Sequence, residues 1–250
     1  MKNNVSWILA IAVSLMMTST GFAQTKEKID KAGTKGNVVF LAVTDGNVKL
    51  SETKAMAVKA QKKFPKSEVM TLDKSDKANA ALVSKYGLSG APAPLILVIA
   101  SNGVVAGANL LKEATPEGLV ETIPTKRQAE ALLAFSEGKP AFIVLYKKSM
   151  KDKALAVEEC KKATTGLGEK STVVVVDLDD KSESEFLSLL KPDMKASTTT
   201  VLVFNGRGQF TDEFKAPVQS SRLIASSRKV VKSVCAPGAC GSGSTGCGPK

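Results

Sequence analysis

KYGLSGAPAPLILVIASNG, residues 85–103, holds a helix end, a Gly/Pro-rich turn, a buried strand and a hairpin turn in that order. Gly87 supplies the helix stop, because a residue without Cβ takes the left-handed backbone of a C-terminal cap at no steric cost. Pro92 and Pro94 cannot continue a helix and mark the turn. Residues 95–100 are apolar without interruption, as in a strand covered on both faces. Asn102-Gly103 then suits a tight hairpin.

Working outward from this stretch, the chain repeats itself at an offset of 103 residues. Asn102-Gly103 follows LILVIAS, and Asn205-Gly206 follows TVLVF. Upstream, NVVFLAV (37–43) matches AFIVLYK (141–147), and EVMTLD (68–73) matches TVVVVDL (172–178). Helical spacing of apolar residues predicts helices over 51–64, 75–86 and 115–122 in the first half, and over 152–165, 182–190 and 219–232 in the second. Pro65, Gly87, Gly166 and Pro192 are the stops. Each half reads β-α-β-α-β-β-α. Alternating strands and helices predict parallel strands packed under helices, and the closing hairpin adds an antiparallel edge. TKRQAEALLAFSE, residues 125–137, sits between Pro124 and Gly138-Lys139-Pro140 and reads as a short, structured connecting helix.

This order, with a proline loop ahead of the third strand, resembles the thioredoxin fold. The resemblance covers most of residues 36–233, twice. It is stronger in the first half, where YGLSGAP and the strand-Asn-Gly hairpin both match, and rests on pattern and offset in the second. It implies an α/β chain of two tandem thioredoxin-like domains, each a mixed sheet flanked by helices, plus a flexible C-terminal tail. The expected boundaries are a signal peptide at 1–23, domain 1 at 36–123, a linker helix at 124–139, domain 2 at 140–233 and a Gly/Cys-rich tail at 234–250.

In that family a cis-proline faces a CxxC motif at the start of the helix after the first strand, where the helix N-terminus stabilises a thiolate. The register falls here near Asp45-Gly46-Asn47-Val48 and near Lys148-Ser149-Met150-Lys151. Neither holds a cysteine, which disfavours dithiol-disulfide chemistry through CxxC. Either Pro92 or Pro94 fits the cis position, and Pro94 is preferred because the strand starts directly after it. In the second half the same offset gives Lys195 and Ser197, so that loop has lost its proline. The resemblance makes Ala93 and Pro94 a peptide-binding loop, since backbone beside a cis-proline can pair with an extended chain. The plainer reading is a retained structural turn.

Composition bounds the chemistry further. MKNNVSWILAIAVSLMMTSTGFAQ has a basic start, a short apolar core and a small-residue exit at Ala23, the pattern of a secretory signal peptide. The expected location is therefore exported, periplasmic or secreted, with no membrane span after cleavage. The formal charge is +11, but the basic residues are scattered as lysine pairs with no arginine stripe or aromatic-rich basic motif. Solvated helix faces account for them, and no nucleic acid is expected as partner. The chain has no histidine, which excludes imidazole bases and His-ligated metals, and its one tryptophan, Trp7, lies in the signal segment.

Three of the four cysteines, Cys235, Cys240 and Cys247, fall in the last sixteen residues among Gly, Ser, Ala and Pro. Three readings stand side by side: a disulfide, a Cu(I) or Zn(II) site, or a thiol store that exchanges with a partner. None of the spacings is C-x2-C. Cys160 shares a helical face with Ala156, Ala163 and Leu167 and reads as a small core residue, with a disulfide to the tail left open. Gly166-Leu-Gly168 and Gly206-Arg-Gly208 read as turns. Asp177, Asp179 and Asp180 read as a solvated strand end and helix cap, and Ser182 with Glu185 as a capping box. The functional expectation is an exported, redox-inactive binding or scaffold module with a protein or peptide partner in the cell envelope. The alternative places soft-metal binding or thiol-disulfide exchange in the tail. Enzyme activity is not expected from domains with neither CxxC nor His.

Overall fold

The computed structural model describes residues 20–46 and 48–231. The tail and all but the last four residues of the expected signal peptide lie outside that range. The chain divides between Ile123 and Pro124 into two compact units.

The first unit runs α1 (Thr20–Thr34), β1 (Val38–Thr44), α2 (Leu50–Lys63), β2 (Ser67–Asp73), a 3-10 turn, α3 (Ala80–Lys85), β3 (Leu95–Ile99), β4 (Val105–Leu110) and α4 (Pro116–Glu121). The second runs α5 (Lys126–Ser136), β5 (Ala141–Tyr146), α6 (Lys153–Gly166), β6 (Thr172–Asp177), a 3-10 turn, α7 (Ser184–Leu190), β7 (Thr200–Phe204), β8 (Phe210–Lys215) and α8 (Ser220–Ser227). The sheets are ordered β2-β1-β3-β4 and β6-β5-β7-β8. In each, the first pair is parallel and the other two pairs are antiparallel. This is the thioredoxin-like strand order, present twice in tandem.

The central strand of each sheet explains the architecture. All seven residues of β1 are buried. Strand periodicity of two sends alternate side chains to opposite faces. Val39, Leu41 and Val43 join Ile29, Leu72 and Leu82 on one side. Val38 and Phe40 join Ala57, Ala60 and Leu119 on the other. In the second unit Ile143 and Leu145 meet Phe186 and Leu187, while Phe142 and Val144 meet Ala156, Cys160 and Leu223. A strand buried on both faces needs helices on both, and each such side chain contributes about 1.5–3 kcal/mol on leaving water.

Four sequence expectations are corrected here. Residues 124–139 are not a connector. Ala131 on α5 packs into the core with Ile143, Leu145 and Val174, so α5 is the first helix of the second unit, as α1 is of the first, and unit 1 likewise begins before residue 36. Thr125 caps α5 in a capping box with Gln128. The buried Glu183 carboxylate also accepts from the Thr125 hydroxyl and from the Arg127 N–H at 3.1 Å.

The repeat has no single offset. The left-handed glycines Gly36 and Gly138 correspond, 102 residues apart, and Gly103 and Gly208 correspond, 105 apart. Gly103 donates to the Ala100 carbonyl at 2.9 Å, as Gly208 donates to that of Asn205 at 2.9 Å. The counterpart of Asn102-Gly103 is therefore Arg207-Gly208, two residues past the Asn205-Gly206 pair that composition alone selects. The offset of 103 holds at the starts of α2 and α6, Leu50 and Lys153. Loops in the second unit are longer by single residues, and the shift accumulates along the chain.

The last helix also stops earlier than 232. Beyond Ser227 the backbone is held to the β7–β8 turn instead, with the Lys229 carbonyl taken by Asn205 Nδ2 at 3.0 Å and that of Val231 by Gln209 Nε2 at 3.2 Å. The expected Ser182–Glu185 capping box is replaced by Asp180, whose carboxylate accepts the Ser182 N–H at 2.9 Å.

Candidate functional site

In the first unit the Ala93–Pro94 peptide bond is cis. The Pro94 carbonyl accepts the Leu111 N–H at 3.1 Å, which extends the β3–β4 ladder by one pair. Lys74, from the end of β2, holds the loop from below. Its ammonium donates to the Ala91 carbonyl at 2.8 Å and pairs with Asp45 at 3.3 Å, with the side chain only 15% exposed. The segment after β1 is pinned too, since the Gly46 N–H donates to Asp73 at 3.0 Å.

Ala93 itself is left open. Among the described residues neither its N–H nor its C=O has a hydrogen-bond partner. It faces a cleft of about 680 Å³ bounded by the proline loop, one face of α2 and the end of β4. Ala55, Met56, Pro94 and Leu110 give the cleft apolar surface, and Lys49, Lys59 and Lys112 stand around it. The α2 residues reach it together because positions three or four apart share a helix face.

The dithiol register is also corrected. Helix α2 begins at Leu50, with Lys49 as N-cap in the left-handed region at φ 54°. The helix start, where thiolate stabilisation operates, thus lies a few residues beyond 45–48. No cysteine occupies either span, nor 148–156 in the second unit. Among the described residues no side chain caps α2.

The second unit fills the same place. The Thr199 carbonyl accepts the Ala216 N–H at 2.8 Å, just as that of Pro94 accepts Leu111. Thr199, not Lys195 or Ser197, is therefore the counterpart of Pro94. Unlike proline, Thr199 has donors to place, and both go to Asp152. Its hydroxyl donates at 2.6 Å, and its N–H lies 3.2 Å from each carboxylate oxygen. Asp152 is the N-cap residue of α6, the counterpart of Lys49. The buried Met150 thioether accepts the Lys147 N–H at 3.2 Å and lies 3.9 Å from the Thr199 hydroxyl. A carboxylate and a thioether therefore meet the Thr199 hydroxyl at the place Pro94 holds in unit 1.

Cys160 is fully buried among Ala156, Ala163 and Val203 as a free thiol. Burial, with a smaller effect from the Glu159 charge, pushes its pKa up to about 12. A thiol so held is neutral and inert. Cys235, Cys240 and Cys247 lie outside the described residues. Among the described residues no cluster of Cys, Asp or Glu has the arrangement of a metal site, and no helix is long and apolar enough to cross a membrane. The sequence pointed to Pro94 as the cis-proline, which it is, and to Ala93 beside it; Lys74, Asp152 and Thr199 were not among the residues it singled out. An Asp opening a predicted helix was the one signal for Asp152.

No family model matches the chain, and no curated protein resembles it in sequence. Solved structures similar to it include the first two thioredoxin domains of Saccharomyces cerevisiae Eps1p, at 10% identity over 88% of this chain and 100% of that one, with a TM-score of 0.31. Human ERp44 in a zinc-bound form is 11% identical over 80% of this chain and 57% of its own, with a TM-score of 0.35. The NTD_N/C domain of alkylhydroperoxide reductase AhpF from Enterococcus faecalis is 13% identical over 81% of this chain and 97% of its own, with a TM-score of 0.25. Strand order and connections within each sheet, rather than these distant likenesses, carry the fold assignment.

Proposed function

We propose that this chain is an exported, redox-silent pair of thioredoxin-like modules that binds or scaffolds other proteins in the cell envelope, with unit 1 holding an extended segment of its partner at Ala93. The observation that carries this reading is the open cleft beside an Ala93 backbone whose N–H and C=O are both unpaired among the described residues. Two such unpaired groups on one residue beside a strand can pair with the backbone of a bound segment. The lack of cysteine at either helix start supports a binding role over dithiol exchange. The apolar, cleavable pattern of residues 1–23 supports export.

Two measurements test it. Insulin reduction by the purified chain should show no turnover, and sustained turnover would refute redox silence. Titration with extended apolar peptides should move the Ala93 amide resonance, and an unmoved Ala93 amide across a peptide panel would refute the binding role.

The alternative function rests on composition, three cysteines (Cys235, Cys240 and Cys247) gathered among Gly and Ser, which suits a soft-metal or exchanging thiol site in the tail. Native mass spectrometry under reducing conditions tests the metal: a Cu(I) or Zn(II) adduct lost on deleting 234–250 supports it, and no adduct removes it. Alanine at all three positions tests exchange.

A further inference from the structure

We infer that the unit 1 cleft selects extended segments carrying two carboxylates four or five residues apart with apolar residues between them. This rests on the reading of the cleft as a peptide site and adds which peptide it takes.

Lys49, Glu52, Met56 and Lys59 follow one another along a single face of α2. Lys59 lies ten residue steps beyond Lys49, which is about 15 Å at the helical rise. An extended chain covers that distance in about four or five residues. Between the lysines the surface is Ala55 and Met56, with Leu110 and Pro94 across the cleft. The cleft therefore offers a positive charge at each end, with Glu52 and then apolar surface between them.

Three further facts sharpen the charge preference. Neither Lys49 nor Lys59 forms an ion pair among the described residues, so an arriving carboxylate displaces nothing. Lys112, on the opposite wall, has only the adjacent Glu113 at 3.4 Å, and both side chains are largely exposed, which makes that pair weak. The uncapped start of α2 adds its own positive potential next to Lys49. Glu52, one turn in from Lys49, repels a carboxylate placed between the two ends of a bound segment. Acids are thus favoured at the ends of the segment and disfavoured in the middle. The chain's overall charge of +11 acts in the same direction at long range, drawing acidic segments toward it.

The test uses the full chain and fluorescein-labelled peptides in polarisation titrations. Three peptides share an apolar centre and carry Glu, Ser or Lys at two positions five residues apart, and a fourth carries its Glu pair in the middle. The Glu-flanked peptide should bind about tenfold tighter than the Ser-flanked one at low salt, an advantage that shrinks as salt screens the lysines. The Lys-flanked and centre-Glu peptides should bind more weakly than the Ser-flanked one. K49S/K59S/K112S changes three exposed side chains, so its circular dichroism should match the parent. It should abolish the preference, so that Glu-flanked and Ser-flanked peptides bind it alike. Equal binding of all four peptides overturns the charge preference and leaves the peptide site standing. A preference that survives in the triple variant overturns its assignment to this cleft. Failure of every peptide to bind, with the Ala93 amide unmoved, overturns the peptide site as well.

Discussion

Replacing Asp152 by alanine should destabilise unit 2 locally, through Thr199 rather than through helix capping. Thr199 is fully buried, and both its hydroxyl and its N–H are directed to the Asp152 carboxylate. Asp152 forms no side-chain cap bond to α6, so a capping loss is not part of the effect. A hydrogen bond to a charged group contributes about 1.5–3 kcal/mol, and removing one partner leaves the buried donor unsatisfied. Two donors lose their acceptor together, which gives an expected cost of about 2–4 kcal/mol. Asp152→Asn keeps an acceptor oxygen and should cost about half as much. The assay is amide exchange at Thr199 in the full chain, because it reports local opening without requiring both units to unfold as one. At about 1.4 kcal/mol per factor of ten, D152A should raise exchange at Thr199 by about 30- to 1,000-fold. T199V removes the hydroxyl, and the double variant should show coupling of about 1 kcal/mol or more with D152A. Exchange at Thr199 that D152A leaves within about threefold, or strictly additive single and double variants, would refute this pairing of Thr199 with Asp152.

Three further outcomes are expected. Cys160 should resist aromatic disulfide reagents in the folded chain at pH 8 and react only on unfolding. Burial pushes its folded pKa up to about 12 from an ordinary 9.0, so its contribution is complete below pH 9 and is lost between pH 9 and 12, where only the unfolded thiol ionises, at about 1.4 kcal/mol per pH unit. Urea titrations of the parent and C160A at pH 8 and pH 10.5 measure it. Gly206→Ala should cost about 1–3 kcal/mol or more in thermal unfolding, because its Cβ would sit 2.2 Å from the Gly138 carbonyl oxygen, a backbone atom that cannot swing away. Lys74→Met should cost about 1–3 kcal/mol and speed amide exchange around Ala91, through loss of the Ala91 carbonyl bond. Asp45→Asn should cost under about 1 kcal/mol, since Asp45 is 57% exposed.

Much of the fold was legible in local pattern. The runs that became β1, β3, β5 and β7 are unbroken apolar segments of strand length, and Gly87 stopped a helix where the sequence placed the stop. Alignment between the halves was less legible. Asn205-Gly206 looks like the counterpart of Asn102-Gly103, yet the hydrogen-bond register selects Arg207-Gly208. Single-residue changes in loop length are invisible to composition, and a shift of two residues moved the expected partner of Pro94 from Thr199 to Ser197. Residues 124–139 read as a linker because an isolated amphipathic helix carries no record of which sheet it covers. Their burial against β5 and β6 does.

The sequence by itself determined that this is a doubled α/β chain with no cysteine where a thioredoxin-like dithiol belongs. Those facts depend on periodicity and residue identity, which are local. Only the tertiary structure decided that the two units differ at the corresponding site. Unit 1 has at this place a proline, which brings no N–H to satisfy and borders the cleft. Unit 2 has Thr199, which brings two donors that burial requires to be paired, and the acceptor arrives from Asp152, 47 residues earlier in the chain.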